Sequence, residues 1–197
     1  MKRLFIAALV LVAMTVSVSA QELSPHYLGI KGGVNYMKLH GDDLENIDYL
    51  VGYAFGAFYQ CQLHPRLAIS PEIYYSLKGS KNSEGDYSLD LGYIDIPILF
   101  KLMFPTGSTV SPCIYAGGYL AFLMSAKIED FDVKEEFKST DSGFIIGGSL
   151  DLMLKEGTQL VNLDIRFTYG LTSLGEDTPV DVYNSGFQFL MGWGFNL

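Results

Sequence analysis

One histidine of this sequence stands beside a carboxylate, the pairing with which many hydrolases move protons. His40 and Asp42 are separated only by Gly41. A histidine held by a carboxylate can act as a general base in the cleavage of a lipid ester or a peptide. The pair lies in an acidic segment of loop character, where such side chains are normally solvated. We therefore predict no catalytic residue, and substitution of His40 tests that prediction.

The other histidines and the two cysteines do not show the pattern of a metal site. His26, His64, Cys61 and Cys113 are scattered along the chain without the short spacings of zinc ligands. The glycines of residues 29–33 also lack the pattern of a phosphate-binding loop. The sequence therefore predicts no metal and no cofactor.

Acidic pairs in the loops leave calcium binding as an open alternative. Asp42 with Asp43, and Glu129 with Asp130, supply the oxygen ligands that Ca²⁺ prefers. Neither segment has the regular ligand spacing of a calcium-binding loop. These pairs therefore support a calcium site only weakly.

Seven charged residues occupy the middle of apolar segments, where a charge needs a partner. Three are bases and four are acids: Lys31, Glu72, Asp95, Lys101, Asp151, Asp164 and Arg166. Buried charges are tolerated in pairs and costly when single. We expect these seven side chains to form a charge network inside the fold, with Arg166 paired to Glu72 or Asp151, and to be structural rather than catalytic.

The segments that carry these charges have the period of β-strands. Near the C-terminus, Phe187, Phe189, Met191 and Trp193 alternate with polar or small residues. A period of two sends alternate side chains to opposite faces of a strand. No helical period competes with this pattern. Eight such segments cover residues 26–37, 50–63, 66–78, 87–104, 109–124, 142–154, 159–171 and 184–197.

The connections between these segments alternate between long and short. The long ones hold most of the acidic charge and lie at residues 38–49, 79–86, 125–141 and 172–183. The short ones carry the Pro and Gly residues of tight turns and lie at residues 64–65, 105–108 and 155–158. This asymmetry is typical of outer-membrane barrels with short periplasmic turns and longer external loops. We predict an all-β fold, an eight-stranded antiparallel up-and-down transmembrane β-barrel, closed by pairing of 26–37 with 184–197.

The two faces of the predicted strands differ in polarity. One face is apolar on every strand, whereas all seven mid-strand charges lie on the other. A basic side chain facing lipid near the bilayer midplane costs about 2 to 4 kcal/mol, so Lys31, Lys101 and Arg166 together would cost about 6 to 12 kcal/mol. The charged face must therefore line the interior. An eight-stranded barrel is just wide enough for side chains to fill it, so we expect no open channel.

Two alternatives remain open at this stage. Alternation alone does not say which face is outside, so a secreted soluble barrel could place the apolar face inward and bind an apolar ligand. A narrow, porin-like solute pore is the second alternative, and conductance across a planar bilayer tests it. The loop asymmetry, the long strands and the aromatic C-terminal strand favour the membrane barrel over the soluble one.

The two cysteines are expected to remain free thiols. Cys61 falls on the apolar face of the second strand, and Cys113 lies beside an inward tyrosine, Tyr115, on the fifth. A disulfide needs Cα atoms within about 7 Å of each other. Strands two and five are not neighbours in the predicted barrel, so these cysteines should not reach each other.

Residues 1–20 are predicted to be a signal peptide, which leaves residues 21–197 as the barrel domain. Lys2 and Arg3 precede an apolar stretch too short to span a bilayer, and Val18-Ser19-Ala20 provides a small-residue cleavage site. Removal of this segment leaves 11 basic against 22 acidic residues, a net charge of −11. Such an acidic protein lacks the basic surface that nucleic acids require.

Several strand segments resemble the PorT-like outer-membrane β-barrel family. The most specific is Tyr-Ile-Asp-Ile-Pro-Ile-Leu followed by Phe-Lys, and the segments lie at residues 28–35, 71–79, 93–101, 141–144 and 164–171. The resemblance implies an eight-stranded barrel of the OmpA/OmpX type. PorT itself serves a protein-secretion and gliding apparatus, but the shared motifs are strand residues and carry no catalytic role.

Together these observations predict a monomeric protein of the cell outer membrane. Its partners would be outer-membrane lipid and envelope or secretion-machinery proteins that contact the four external loops. Rigid barrels commonly carry their function in loops. We therefore expect a structural or partner-binding protein rather than an enzyme, with an accessory role in protein secretion as a further expectation.

Overall fold

A computed structural model describes residues 25–41, 47–82, 87–129, 131–175 and 181–197. The predicted signal peptide lies outside the described residues. Eight long strands and one short strand run along the chain: β1 (His26–His40), β2 (Ile47–His64), β3 (Leu67–Asn82), β4 (Ser88–Met103), β5 (Val110–Ile128), β6 (Phe131–Asp132), β7 (Thr140–Leu154), β8 (Gln159–Gly170) and β9 (Tyr183–Asn196). Two 3₁₀ turns cover Lys134–Glu136 and Lys155–Gly157. Among the described residues, no helix is long and apolar enough to cross a membrane.

The eight long strands form one closed antiparallel barrel. Each pairs with its neighbour along the chain, and β6 forms a short hairpin extension of β5. The barrel closes where β1 pairs with β9, from Tyr27 opposite Asn196 to His40 opposite Tyr183. Closure leaves no edge unpaired among the eight long strands of the described chain, which is the condition for a sheet in lipid. The predicted fold class and closing pair are thus confirmed.

The alternation of side chains divides the barrel wall into an apolar outside and a polar inside. Ile30 on β1, Phe100 on β4 and Trp193 on β9 are exposed on the outer surface, where every long strand contributes apolar side chains. The polar residues of the same strands are buried inside. This orientation contradicts the alternative of a soluble barrel with an apolar interior, because the apolar face points outward.

The strands extend further at one end than the sequence predicted. β3 continues to Asn82 and β5 to Ile128, four residues beyond their predicted ends, and β2 begins three residues early at Ile47. Ser80 opposite Leu89 and Lys81 opposite Ser88 continue the ladder where apolar alternation has faded. Backbone hydrogen bonds therefore continue these strands past the part of the barrel in which the outward side chains are apolar.

The three predicted short turns lie at the opposite end of the barrel. The turn at Pro65 and Arg66 joins β2 to β3, and the 3₁₀ turn Lys155–Gly157 joins β7 to β8. Gly107 and Gly157 have φ angles of 73° and 86° there, a left-handed conformation that glycine adopts without strain. The short turns, the first residue of β1 (His26) and the last residue of β9 (Asn196) all lie on this side.

Candidate functional site

All seven charged residues that the sequence places in the interior are buried there. Each lies on a long strand, and each side chain points into the barrel away from the apolar surface. The structure does not bring all seven into one network. It divides them between a central cluster, a cluster nearer the short turns and an ion pair nearer the long loops.

The central cluster consists of two bases and two acids. Lys31 Nζ contacts Glu72 Oε1 at 2.7 Å and Asp164 Oδ2 at 3.2 Å. Arg166 contacts the same two carboxylates, through Nη1 to Glu72 Oε2 at 2.9 Å and through Nε to Asp164 Oδ1 at 3.3 Å. Each base therefore bridges both acids, and the four charges cancel. Such mutual pairing is what allows four ions to remain in a water-poor interior.

Two tyrosines complete the hydrogen bonding of this cluster. The Tyr74 hydroxyl donates to Glu72 Oε2 at 2.8 Å, and its ring lies 5.4 Å from the Arg166 guanidinium carbon. The Tyr115 hydroxyl donates to Asp164 Oδ1. Each carboxylate thus accepts bonds from two bases and a phenol, which satisfies the lone pairs that burial would otherwise leave unpaired.

The second cluster surrounds Asp151. Lys101 Nζ lies 2.9 Å from Asp151 Oδ2 and also donates to Gln60 Oε1 at 2.8 Å. Asn162 and Gln60 donate to the same carboxylate at 2.6 and 3.0 Å. Asp151 therefore pairs with Lys101 and not with Arg166, which corrects one of the two partners proposed for Arg166 from the sequence. Glu72, the other, is its partner.

The third group lies toward the long connections and contains two residues that sequence analysis missed. Asp95 pairs with Lys78, whose Nζ lies 2.9 Å from Asp95 Oδ1. Lys78 also stacks against two tyrosine rings, Tyr93 and Tyr119, at 5.1 and 4.6 Å from their centroids. A second buried acid, Asp141, accepts a bond from Tyr119 at 3.2 Å.

Lys78 and Asp141 were missed because they lie at the predicted ends of their strands. Lys78 was the last residue of its predicted strand, and Asp141 immediately preceded one. Both continue the inward alternation, Lys78 from Glu72 and Tyr74, and Asp141 toward Gly143. Lys78 already shares the inward parity of Glu72 within its predicted strand, and starting the next segment one residue earlier would have placed Asp141 inside.

Large and small side chains share the remaining interior space. Six aromatic residues are buried inside: Tyr27, Phe58, Tyr74, Tyr93, Tyr115 and Tyr119. Glycine provides the matching space, since a Cβ placed on Gly147 would lie 2.6 Å from the Tyr115 hydroxyl oxygen. The described barrel interior is therefore packed with side chains, as the strand number predicts.

Two of the long connections fold over the mouth of the barrel and form a cap, residues 133–138 with 171–175 and 182. Phe137 and Gly175 form a β-bridge, and Lys138 N donates to Leu174 O at 2.7 Å. Leu174 is 0% exposed because it inserts into the apolar cluster of the upper interior. The partly buried Val133, Phe137 and Val182 pack against the same cluster. The cap therefore joins two connections to each other and to the barrel core.

The histidine proposed as a catalytic candidate packs among aromatic rings. His40 ends β1, and its ring lies 4.7 Å from Tyr169 and 5.5 Å from Tyr183 between centroids. Its two ring nitrogens are buried and accept or donate no hydrogen bond within the described residues. Asp42, its proposed partner, lies outside the described residues, as do Asp43 and Asp130 of the calcium alternative. The described surroundings of His40 are those of a packed aromatic side chain.

The cysteines are separate and buried. Cys61 on β2 and Cys113 on β5 are both free thiols. Two strands, β3 and β4, lie between them in the barrel order. Within the described ranges, no group of three or more His, Cys, Asp or Glu side chains could hold a metal ion.

Comparison with known proteins identifies the same architecture. A family model described as outer membrane protein beta-barrel domain matches residues 19–176. No curated protein matches the sequence. The family match covers most of the chain, including seven of the eight long strands.

Solved structures share the fold at low sequence identity. Neisserial surface protein A is 15% identical with a TM-score of 0.57, over 87% of this chain and 97% of that one. The attachment invasion locus protein Ail of Yersinia pestis is 13% identical with a TM-score of 0.50, over 89% and 100% of the two chains. OprG of Pseudomonas aeruginosa is 12% identical with a TM-score of 0.50, over 88% and 96%. At this level of identity the matches show a shared barrel fold.

Proposed function

The chain belongs to the outer membrane protein beta-barrel domain family and is a protein of the cell outer membrane, and from this premise we propose that it acts as a side-chain-filled, capped barrel that binds envelope proteins through its external loops. It performs this role without catalysis. The single observation that carries the proposal is the cap formed by residues 133–138, 171–175 and 182, because it presents two long connections as one ordered surface.

The interior supports binding over transport. Arg166, Lys31 and Lys101 are buried and held by carboxylates, and six aromatic side chains occupy the space between them. Passage of a solute would require several ion pairs and the cap to open together. A barrel that fills its interior in this way contributes rigidity, and its external end is the part free to contact other proteins.

Exposed aromatic side chains at the external end supply the contacts that a protein partner would use. Phe131 in the β5–β6 hairpin is 74% exposed, and Tyr87 before β4 is also exposed. Acidic residues, including Asp132 and Glu135, follow Phe131 directly in the chain. An aromatic anchor with a charged rim is the usual anatomy of a protein interface. We infer a partner with an apolar pocket and a basic border.

The partner class follows from the resemblance to PorT-like barrels. The resemblance, carried by the segment Tyr93 to Lys101 among others, connects this barrel type with protein secretion. We propose that the chain is an accessory of a secretion apparatus in the envelope. It would act as a monomer, since its barrel is closed by its own strands.

Photo-crosslinking in intact cells tests the proposal. A photoreactive amino acid replaces Phe131, and a matched variant carries it at Ser108, which is exposed in a short turn at the other end of the barrel. We expect Phe131 to yield a crosslinked envelope protein that Ser108 does not yield. Equal products from both positions, or none from Phe131, would contradict binding through the external end.

Conductance measurements separate this proposal from a solute pore. The purified protein, inserted in a planar bilayer, should show no stable channel openings because its interior is packed. A variant that lacks the Leu174 anchor serves as the comparison, since loosening the cap should not by itself open the central ion pairs. Regular single-channel steps from the unmodified protein would favour the pore.

A further inference from the structure

The buried charges of the barrel do not balance. Nine charged side chains of the described residues are buried inside, four bases and five acids: Lys31, Glu72, Lys78, Asp95, Lys101, Asp141, Asp151, Asp164 and Arg166. Eight of these take part in ion pairs with one another. Asp141 is the ninth, and it forms no ion pair with any residue that the structure describes. With every group in its ordinary ionised form, the interior would carry one excess negative charge, at Asp141.

The carboxylate of Asp141 is only half satisfied. Its Oδ2 accepts hydrogen bonds from the Tyr119 hydroxyl and from Asn184 Nδ2, both at 3.2 Å. Its Oδ1 has no hydrogen-bond partner in the described part of the chain. The side chain is 1% exposed, so bulk water does not solvate it. A buried ionised carboxylate without a positive partner is strongly unfavourable.

Two further buried oxygens lie next to Asp141. Apart from the hydrogen bond between these two side chains, Asn184 Oδ1 and the Tyr93 hydroxyl have no partner within the described residues, and the two residues are 2% and 0% exposed. The bond from Asn184 Nδ2 fixes this amide against Asp141, and the same amide neighbours the Tyr93 hydroxyl. Buried polar atoms nearly always have a partner. The unsatisfied Asp141 Oδ1, with the oxygens of Asn184 and Tyr93 beside it, therefore points to a bound ligand.

Gly170 borders the Asp141 carboxylate. A Cβ placed on Gly170 would lie 3.4 Å from Asp141 Oδ1, 3.2 Å from Asn184 N and 2.9 Å from the carbonyl oxygen of Asn184. Glycine at this position therefore keeps a side chain away from the carboxylate and from the Asn184 carbonyl oxygen.

We propose that Asp141, Asn184 and Tyr93 bind a monovalent metal cation, Na⁺, at the external end of the barrel interior. Oxygen donors of carboxylate, amide and hydroxyl type suit hard cations and not soft ones. One positive charge neutralises the excess of Asp141, whereas a divalent ion would add a surplus charge close to the Lys78 ammonium. Lys78 forms its ion pair with Asp95, at 2.9 Å, and none with Asp141.

The site would join parts of the barrel that do not pair directly. Tyr93 belongs to β4, Asp141 to β7 and Asn184 to β9, and no two of these strands are neighbours in the barrel order. A cation held by all three would brace the barrel below the cap formed by residues 133–138, 171–175 and 182. Binding should therefore appear as Na⁺-dependent stability.

The test is urea unfolding in lipid vesicles at constant ionic strength, with NaCl replaced stepwise by choline chloride. We expect the unfolding midpoint to rise with Na⁺, and the folding constant to rise about tenfold for each tenfold increase of Na⁺ above its Kd. Asp141→Asn removes the charge with little change in shape and should abolish this dependence. Asp132→Asn, which removes an exposed carboxylate, should retain it.

Further measurements keep the proposal testable if Asp141→Asn does not fold. Asn184→Asp adds a second carboxylate and should shift the Na⁺ response to lower concentrations, and the ²³Na line width should broaden with the folded wild type. Equal Na⁺ responses of the wild type and Asp141→Asn, or no ²³Na broadening by the wild type, would overturn the site. Stabilisation at low pH without a Na⁺ response would mean that a proton neutralises Asp141. A response to CaCl₂ alone would mean that a divalent ion binds there. Either result overturns the Na⁺ assignment.

Discussion

Arg166 on β8 and Glu72 on β3 meet inside the barrel, with Arg166 Nη1 2.9 Å from Glu72 Oε2. Three strands, β9, β1 and β2, separate β8 from β3 along the wall, so the contact crosses the interior rather than a strand pair. Lys31 lies on β1, between these two strands in the barrel order, and contacts Glu72 and Asp164. The central ion pairs thus connect opposite walls, which a β-ladder alone cannot do.

Arg166→Leu should destabilise the barrel by about 3 to 5 kcal/mol, because it leaves Glu72 and Asp164 with Lys31 as their only buried base. The measurement is the free energy of unfolding in urea, in detergent micelles or lipid vesicles. Arg66→Leu is the matched control, since Arg66 is exposed in a short turn and its loss should change stability by about 0.5 kcal/mol or less. Equal stability of both variants would mean that the central cluster does not depend on Arg166.

Ile165→Arg should impair membrane insertion or stability by about 2 to 4 kcal/mol, the cost of a basic side chain facing lipid near the midplane. Ile165 is exposed on the outer surface in the middle of β8, directly before Arg166. The yield of folded protein in vesicles and its unfolding free energy measure the effect. Ile165→Leu should behave as wild type. A harmless Ile165→Arg would indicate that this face does not contact lipid.

Gly147→Ala should lower stability by about 1 to 3 kcal/mol, the usual cost of overpacking an interior. A Cβ there would lie 2.6 Å from the Tyr115 hydroxyl oxygen, and Tyr115 cannot move without losing its bond to Asp164. Gly118→Ala is the control, since the nearest atom to its Cβ is 3.6 Å away. The unfolding free energy of Gly147→Ala should therefore be lower than that of Gly118→Ala. Equal values would show that the interior has room for an added methyl group.

The sequence predicted the barrel and its orientation because both depend on a pattern that repeats along every strand. Alternation between apolar and polar side chains identified eight strands, and the energy of charges in lipid selected the inward face. Closure of β1 against β9 followed from the absence of any other edge partner. These conclusions required only which residues share a face, a property that a period of two determines.

The partners inside the barrel could not be predicted in the same way. Whether Arg166 reaches Glu72 or Asp151 depends on the stagger of strands around the barrel, which alternation does not encode. Lys78 and Asp141 were missed because apolar residues become sparse at the external strand ends. The cap was missed because Leu174 and Val182 are isolated apolar residues in a polar connection, and their burial depends on a tertiary contact with another loop.

Both cysteines should be alkylated only after unfolding. Cys61 and Cys113 are buried free thiols on strands that are not neighbours. Treatment of the folded protein with a thiol reagent should leave its mass unchanged, and the same treatment in denaturant without reductant should add two alkyl groups. A mass that increases only after reduction would indicate a disulfide and would contradict the barrel order.

Leu174→Ser should release the cap formed by residues 133–138, 171–175 and 182 while leaving the barrel folded. Loss of a fully buried leucine costs about 2 to 5 kcal/mol, and here that energy holds two connections onto the apolar cluster that includes Leu39 and Leu91. Each 1.4 kcal/mol increases the open population about tenfold. Protease added to intact cells should therefore cleave the cap of Leu174→Ser much faster than that of the wild type.

Leu171→Ser provides the matched control for this experiment, because Leu171 lies in the same connection but is 62% exposed. Its cleavage rate should equal that of the wild type. The barrel of every variant should keep a different gel mobility before and after boiling, since the β1–β9 closure does not involve Leu174. Cleavage that is equally fast in both serine variants would mean that the two connections open independently of Leu174. If Leu174→Ser instead lost the mobility difference, the cap would be part of the cooperative unit of the barrel, and the loops could not act as a separate binding surface.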